Sequence, residues 1–251
     1  ALKRLREQWL RKEALPGPDG GLPSRFAPGT ADVCAVLSYI ERQIGVASIG
    51  GNWEVSRAHW ERALTLHPWN AAAEYLLGVY HVRRKQYQEA KRHFLASLRL
   101  DPEFKAVYMG LGVVYLALGD WDSAEFASRA GLKRHPGAFH CAYNLGAAAA
   151  GNLLALLSQR CPPLERVSEV QDAAQDAVQN LEAVRRSPRG RREWAATDTA
   201  LLEVLAAMGQ RAVPRKDEDG CEDAVWWSKK QRQLATCLSC TKGWALINVR
   251  A

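Results

Sequence analysis

Apolar residues recur at helical spacing through the middle of this sequence, and prolines interrupt them at a fixed interval. Pro68, Pro102 and Pro136 lie 34 residues apart, and each closes a segment of helix-forming residues. Proline lacks a backbone donor and clashes with the preceding turn, so a helix cannot continue through it. A fixed period of this length predicts a stack of similar helix pairs.

Between the prolines, the same residue types return in register. Each period contains a Leu-Gly pair, an aromatic residue, a small residue and a leucine. The four columns are Leu77-Gly78, Leu111-Gly112 and Leu145-Gly146; Trp53, Tyr87 and Trp121; Ser56, Ala90 and Ala124; and Leu64, Leu98 and Leu132. Because glycine has no Cβ atom, the first column predicts a close approach of the two helices in each pair.

The columns resemble the tetratricopeptide repeat family. The best match consists of Leu77-Gly78, Tyr87, Ala90, Phe94 and Pro102, and the repeat from Tyr108 to Pro136 is similar. A degenerate repeat precedes them, with Trp53, Trp60, Ala63-Leu64 and Pro68, but with Gln43-Ile44 where the family has Leu-Gly. The resemblance covers roughly residues 33–152 and implies an all-α fold, a right-handed α-solenoid of helix pairs.

The predicted organisation has three parts. Residues 1–30 form a basic amphipathic helix and a loop, and residues 31–209 form the repeat domain, with clear repeats over about 37–152. Within that domain, residues 153–209 form divergent and capping helices: Leu153 to Arg160 extends a first helix, Leu164 to Arg186 is a long helix, and Glu193 to Met208 is the cap. The predicted docking face of the cap consists of Leu201, Leu202, Val204 and Leu205.

Residues 210–251 combine a linker with an apolar tail. The segment from Gln210 to Gly220 is rich in charged residues, proline and glycine, a composition typical of a linker. Beyond it, Ala224 to Trp227 and Trp244 to Val249 are apolar enough to require burial. We expect this tail to pack either on the repeats or on a partner.

Composition and charge exclude several classes of protein. The net charge of +7 is a moderate basic excess that does not by itself indicate nucleic acid. No apolar run reaches the roughly 18–20 residues of a membrane helix, so no membrane insertion is expected. The six cysteines follow no secreted disulfide framework, which favours an intracellular protein, in the cytoplasm or an organelle such as the mitochondrion.

Catalytic and cofactor motifs are absent from the sequence. It has no glycine-rich phosphate loop, no His-Glu-x-x-His and no nucleophile elbow, so we predict a non-enzyme with no cofactor and no small-molecule substrate. Cys237 and Cys240 have the spacing of metal ligands, but no second Cys-x-x-Cys accompanies them, and no metal site is predicted. Two free or transiently oxidised thiols are expected instead.

The resemblance implies a binding surface on the first helix of each pair, which lines the concave side of such a solenoid. The residues placed there are Tyr75, Val79, Val82, Arg83, Met109, Val113, Leu116, His140 and Tyr143. Because most are apolar or aromatic, we expect an apolar helix or extended segment of a protein partner, within a multi-subunit complex. The alternative is that these residues are core, or that Trp226 and Trp227 fill the groove from within the chain.

An arginine-rich turn provides the alternative function. Arg185, Arg186, Arg189, Arg191 and Arg192 would together neutralise several phosphates or an acidic protein surface. Two hypotheses follow: a protein-interaction scaffold or assembly subunit, and an accessory RNA-binding subunit of a ribonucleoprotein. The alternative is that this turn is a solvated part of the surface with no binding role.

Overall fold

A computed structural model describes residues 30–157, 167–193, 196–210 and 221–241, and all regular secondary structure within these ranges is helical. The predicted amino-terminal helix, the Cys161-Pro162-Pro163 stop, the segment 211–220 and the apolar stretch Trp244 to Val249 lie outside the described residues. The all-α class predicted from the periodicity is therefore confirmed for the part of the chain that is described.

The described helices are short in the repeats and longer afterwards. They are α1 (Thr30–Ala47), α2 (Trp53–Leu66), α3 (Ala71–Arg83), α4 (Tyr87–Leu100), α5 (Lys105–Leu118), α6 (Trp121–Arg134), α7 (Phe139–Leu157), α8 (Val167–Arg186), α9 (Gly190–Glu193), α10 (Ala196–Gln210) and α11 (Cys221–Thr241). The predicted cap, Glu193 to Met208, corresponds to α10.

The periodic prolines end three helices, as predicted. α2, α4 and α6 each stop two residues before a proline, and the residue between adopts an extended conformation: His67 has φ −144° and ψ 94°, and Asp101 has φ −141° and ψ 95°. A residue that precedes proline disfavours the helical region because the proline ring clashes with it. His67 and His135 are carboxy-terminal caps, and their backbone N–H groups donate to the carbonyl oxygens of Ala63 and Gly131.

The chain divides into two compact units, Ala1–Val107 and Tyr108–Ala251. In the first unit, α1 packs on α2 and α3 packs on α4. A Cβ atom on Gly78 would lie 2.5 Å from Cε1 of Phe94, whose side chain is fully buried. This contact is the close helix approach that the glycine column predicts.

The first repeat has its own packing glycine, one residue later than the sequence suggested. A Cβ atom on Gly45 would lie 2.7 Å from Cδ1 of the buried Trp60, so Gly45 meets α2 as Gly78 meets α4. The pair that occupies the Leu-Gly position is therefore Ile44-Gly45, and the assignment of Gln43-Ile44 to it was wrong. The shift arises because one residue fewer separates this glycine from the aromatic Trp53 than separates Gly78 from Tyr87.

A glutamate–histidine pair joins the two helices in each of the first two repeats. Nδ1 of His59 on α2 lies 2.7 Å from the buried carboxylate of Glu41 on α1, and Nδ1 of His93 on α4 lies 2.7 Å from Glu74 on α3. The four residues occupy equivalent places once Gly45 is aligned with Gly78. His93 is therefore a polar bridge between the two helices of its repeat.

In the second unit, α7 is the central helix and packs on α6, α8 and α11. A Cβ atom on Gly112 would lie 2.7 Å from Nδ2 of Asn144, and one on Gly146 would lie 2.7 Å from Cγ of Leu181 on α8. The predicted docking face of the cap is confirmed, because Leu201, Leu202, Val204 and Leu205 of α10 are all buried.

Candidate functional site

Aligning Gly45 with Gly78 defines an equivalent face on the two first helices of unit 1. We call it the unit 1 face; it consists of Tyr39, Arg42 and Val46 on α1 and Ala72, Tyr75, Val79, Val82 and Arg83 on α3. The corresponding unit 2 face consists of Met109, Val113 and Leu116 on α5 and His140, Tyr143 and Ala147 on α7.

The predicted residues of α3 differ strongly in exposure. Val79 and Val82 are buried, and the ring of Tyr75 is enclosed by Phe94 and Phe104, with centroids 5.6 and 5.2 Å away. Burial raises the pKa of Tyr75 to about 12. Arg83 is exposed, and its guanidinium carbon lies 4.3 Å from the centre of the Trp53 ring. Among the residues predicted on α3, Arg83 is thus the one with an exposed polar side chain.

Sequence reasoning missed the part of the unit 1 face that lies on α1, including Tyr39 and Arg42. Tyr39 is 52% exposed, and the guanidinium of Arg42 stacks 4.9 Å from the centre of its ring. They stand at the positions equivalent to Ala72 and Tyr75. The signal that would have found them is Gly45, because the misplaced Leu-Gly pair put α1 one residue out of register.

A polar network links α2 to α3. The hydroxyl of Tyr80 donates to a carboxylate oxygen of Glu54 at 2.7 Å, and Arg57 and Arg84 contact the same carboxylate at 3.2 and 3.3 Å. The hydrogen bond from Tyr80, with help from the two arginines, lowers the pKa of Glu54. This end of unit 1 therefore carries fixed charges of both signs.

The unit 2 face is largely covered. Met109 and His140 are partly exposed, whereas Val113, Leu116 and Tyr143 are 4%, 8% and 5% exposed. The side-chain amide of Asn144 donates to the backbone carbonyl of Met109 at 3.3 Å and so ties α7 to α5.

The covering helices come from the carboxy-terminal part of the chain. The hydroxyl of Tyr143 bonds to a carboxylate oxygen of Asp198 on α10 at 2.9 Å. α11 packs on both α7 and α10, and its Trp227 is buried in the same apolar cluster as Tyr143 and Leu116. Trp226 is partly buried against that cluster, so both tail tryptophans contribute to packing within the chain.

The arginine-rich turn lies at the end of α8 and through α9. Arg185, Arg191 and Arg192 are exposed. Arg186 forms an ion pair with Glu182 one turn earlier, and the guanidinium carbon of Arg189 lies 5.3 Å from the centre of the Phe139 ring. Part of the predicted cluster is thus engaged in contacts within unit 2.

Among the residues whose side chains are described, no three His, Cys, Asp or Glu side chains come together to hold a metal ion. Cys141 is buried, which raises the pKa of its thiol to about 11. The side chains of Cys161, Cys221 and Cys240 lie outside the described set, so the Cys237–Cys240 alternative is untested.

No described helix is both long and apolar enough to cross a membrane.

The tetratricopeptide repeat family matches two overlapping parts of the chain, residues 50–102 and 81–143. Among solved structures, the chain is similar to YrrB, described as a TPR protein with an unusual peptide-binding site, at 17% identity over 97% of this chain and 98% of that one, with a TM-score of 0.50. It also matches MamA MSR-1 C2 at 16% identity over 80% and 98% of the two chains, with a TM-score of 0.45. No curated protein matches it significantly. The likeness to YrrB shows the fold.

Proposed function

The chain is a tetratricopeptide repeat protein, and from that premise we propose that it is a non-catalytic interaction scaffold or assembly subunit of an intracellular multi-subunit complex. It binds an apolar helix or extended segment of a protein partner on the faces of its first helices. Repeat proteins of this architecture present extended surfaces of this kind.

The observation that carries the proposal is the exposed aromatic–arginine pair on the unit 1 face. Tyr39 is half exposed with Arg42 stacked on its ring, and Arg83 lies exposed over Trp53 on the neighbouring helix. Tyr, Trp and Arg are the residue types enriched at the energetic centres of protein interfaces. The buried core does not account for an exposed tyrosine at a first-helix position.

The charge of this face defines the partner further. Arg42 and Arg83 are cationic, and the apolar surface of Tyr39 lies beside them. A segment that combines a bulky apolar side chain with acidic residues would complement both features. A peptide-like ligand is also the class named for YrrB.

On the unit 2 face, Met109 and His140 are the predicted residues that keep partial exposure. Methionine adapts its flexible side chain to different partners, so Met109 suits a binding role. Val113, Leu116 and Tyr143 are buried, so the contacts proposed for this face fall to Met109 and His140.

An accessory RNA-binding role is the second candidate. It rests on the exposure of Arg185, Arg191 and Arg192 at one turn. Phosphate contacts release counterions and weaken by orders of magnitude as salt rises, whereas apolar burial persists.

Affinity purification of the tagged chain from its native source, at low and at high salt, separates the two. We expect a stable set of proteins that survives high salt, identified by mass spectrometry. RNA recovered at low salt and lost at high salt, with no stable protein set, would contradict the scaffold proposal and favour the arginine turn.

A further inference from the structure

The last described helix, α11, has one narrow buried stripe. Trp227, Leu234 and Leu238 are 4%, 0% and 4% exposed, and their spacing of seven and four residues places them on one side of a helix. The opposite side is exposed and polar, with Ser228, Lys229, Arg232, Gln233 and Thr236. Over its described side chains, residues 226–239, α11 is thus an amphipathic helix with three large buried side chains on one side.

The surface beneath that stripe is part of the unit 2 face. Trp227, Leu234 and Leu238 share one buried cluster with Leu116 of α5 and with Tyr143 and Ala147 of α7, and α11 packs directly on α7. The positions that the repeat pattern assigns to partner binding are therefore covered by a helix of the same chain. The surface therefore accommodates an amphipathic helix.

α10 and α11 are attached to this unit to different degrees. α10 buries five apolar side chains, from Leu201 to Met208, and contacts α8. Of the α11 side chains that are described, Trp226 to Ser239, the three named above are buried, and Trp226 and Cys237 are partly buried. Ordering a helix costs conformational entropy for every residue, and burial of its side chains offsets that cost. With few buried side chains, the docked and released states of the helix differ less in free energy.

The segment between α10 and α11 is long enough for α11 to leave the unit 2 face while it stays attached to the chain. Residues 211–220 separate the two helices and consist largely of charged residues with one proline and one glycine. Ten residues can span up to roughly 33 Å when extended. A released α11 would stay tethered at high effective concentration and compete with any ligand for the face it covers.

We propose that α11 is a built-in occupant of the unit 2 face, and that a partner helix binds there by replacing it. The partner presents a bulky aromatic side chain followed by two leucine-sized side chains, seven and eleven residues later. This inference rests on the proposed scaffold function and adds its regulation: Tyr39 and Arg83 of the unit 1 face are exposed without any rearrangement, whereas the unit 2 face opens when α11 leaves.

Hydrogen exchange of the unaltered full chain is the first test. The amides of α11 should exchange together and at least about tenfold faster than those of α7 and α10, because local release precedes global unfolding. Exchange of α11 at the same rate as α7 would make it an integral part of the core and would overturn the proposal.

The second test uses a fluorescent peptide of residues 221–241 as the probe, under reducing conditions, with fluorescence anisotropy as the readout. The full chain carrying Leu234→Lys and Leu238→Lys should bind this peptide at least about tenfold more tightly than the unaltered chain. A matched control, Ser228→Lys with Gln233→Lys, places the same charges on the exposed side of α11 and should bind like the unaltered chain. A peptide carrying the two leucine changes should not bind.

Equal binding by all three chains would overturn the proposal, and so would loss of α7 amide protection in the Leu234→Lys, Leu238→Lys chain. The probe comes from the protein itself, so the result does not depend on a natural partner. Failure to recover a partner on the unit 1 face would count against the scaffold function alone.

Discussion

The hydroxyl of Tyr143 on α7 lies 2.9 Å from a carboxylate oxygen of Asp198 on α10, and both side chains are buried. Tyr143 stands at a position where the repeat pattern predicts contact with a partner. Its hydrogen bond is instead made within the chain, to a residue 55 positions away. The two units therefore differ: Tyr39 and Arg42 of unit 1 face solvent, whereas Tyr143 of unit 2 is engaged.

The Tyr143–Asp198 contact should contribute measurably to stability. Tyr143→Phe removes the hydrogen bond that the hydroxyl donates to the buried Asp198 carboxyl, which should cost about 1–3 kcal/mol of unfolding free energy. Tyr39→Phe, the same change at an exposed ring, should alter stability by less than about 0.5 kcal/mol. Urea denaturation followed by circular dichroism gives both values, and equal effects would contradict a structural role for the Tyr143 hydroxyl.

Gly45 tests the corrected register of the first repeat. A methyl group at this position meets the buried ring of Trp60, so Gly45→Ala should destabilise the chain by about 1–3 kcal/mol despite the better helix propensity of alanine. Gly50 has no atom within 4 Å of its added Cβ, and Gly50→Ala is the matched control. An unchanged melting temperature for Gly45→Ala would mean that Ile44-Gly45 is not the Leu-Gly equivalent.

The carboxyl of Glu54 should titrate below the ordinary range of a glutamate. Its pKa is lowered mainly by the Tyr80 hydroxyl, so its stabilising contribution is present above the unfolded pKa and is lost as pH falls through the folded pKa. Tyr80→Phe should raise the pKa of Glu54 towards its usual value, as followed by NMR titration of the side-chain carboxyl carbon. With Tyr39→Phe as control, an unshifted titration in Tyr80→Phe would refute the assigned cause.

Cysteine reactivity should follow burial. Cys141 is buried and the pKa of its thiol is raised to about 11, so at pH 8 roughly one thiol in a thousand is ionised. Cys34 is partly exposed. Iodoacetamide at pH 8 should therefore modify Cys34 at least about tenfold faster than Cys141 in the folded chain, measured by peptide mass spectrometry. The difference should disappear in denaturant, and equal rates in the folded chain would contradict the burial of Cys141.

The parts of the fold that follow from local chemistry were predicted from the sequence. Pro68, Pro102 and Pro136 end helices because proline acts on the turn beside it. Gly78 and Gly112 mark close helix contacts because a residue without a Cβ atom lets a neighbouring helix approach its backbone closely. In both cases the residue type acts on the structure at its own position, so the effect can be predicted from the sequence.

The parts that depend on distant residues were not predictable in this way. The pairing of Glu41 with His59 requires the register between two helices, and that register was misplaced by one residue at Gly45. The docking of α11 through Trp227 depends on a surface built by α5, α7 and α10. A stripe of apolar residues shows that burial is needed, but not which surface supplies it.

The central claim is that the unit 1 face binds a protein partner, and one comparison tests it most directly. Tyr39→Glu alters an exposed aromatic residue on that face, whereas Phe126→Glu makes the same kind of change at a 77% exposed position on the second helix α6. The tagged full chain and both variants are purified from the native source at high salt, and the recovered proteins are quantified by mass spectrometry. We predict that Phe126→Glu recovers the same proteins as the unaltered chain and that Tyr39→Glu loses them. Loss with Phe126→Glu and retention with Tyr39→Glu would contradict the account.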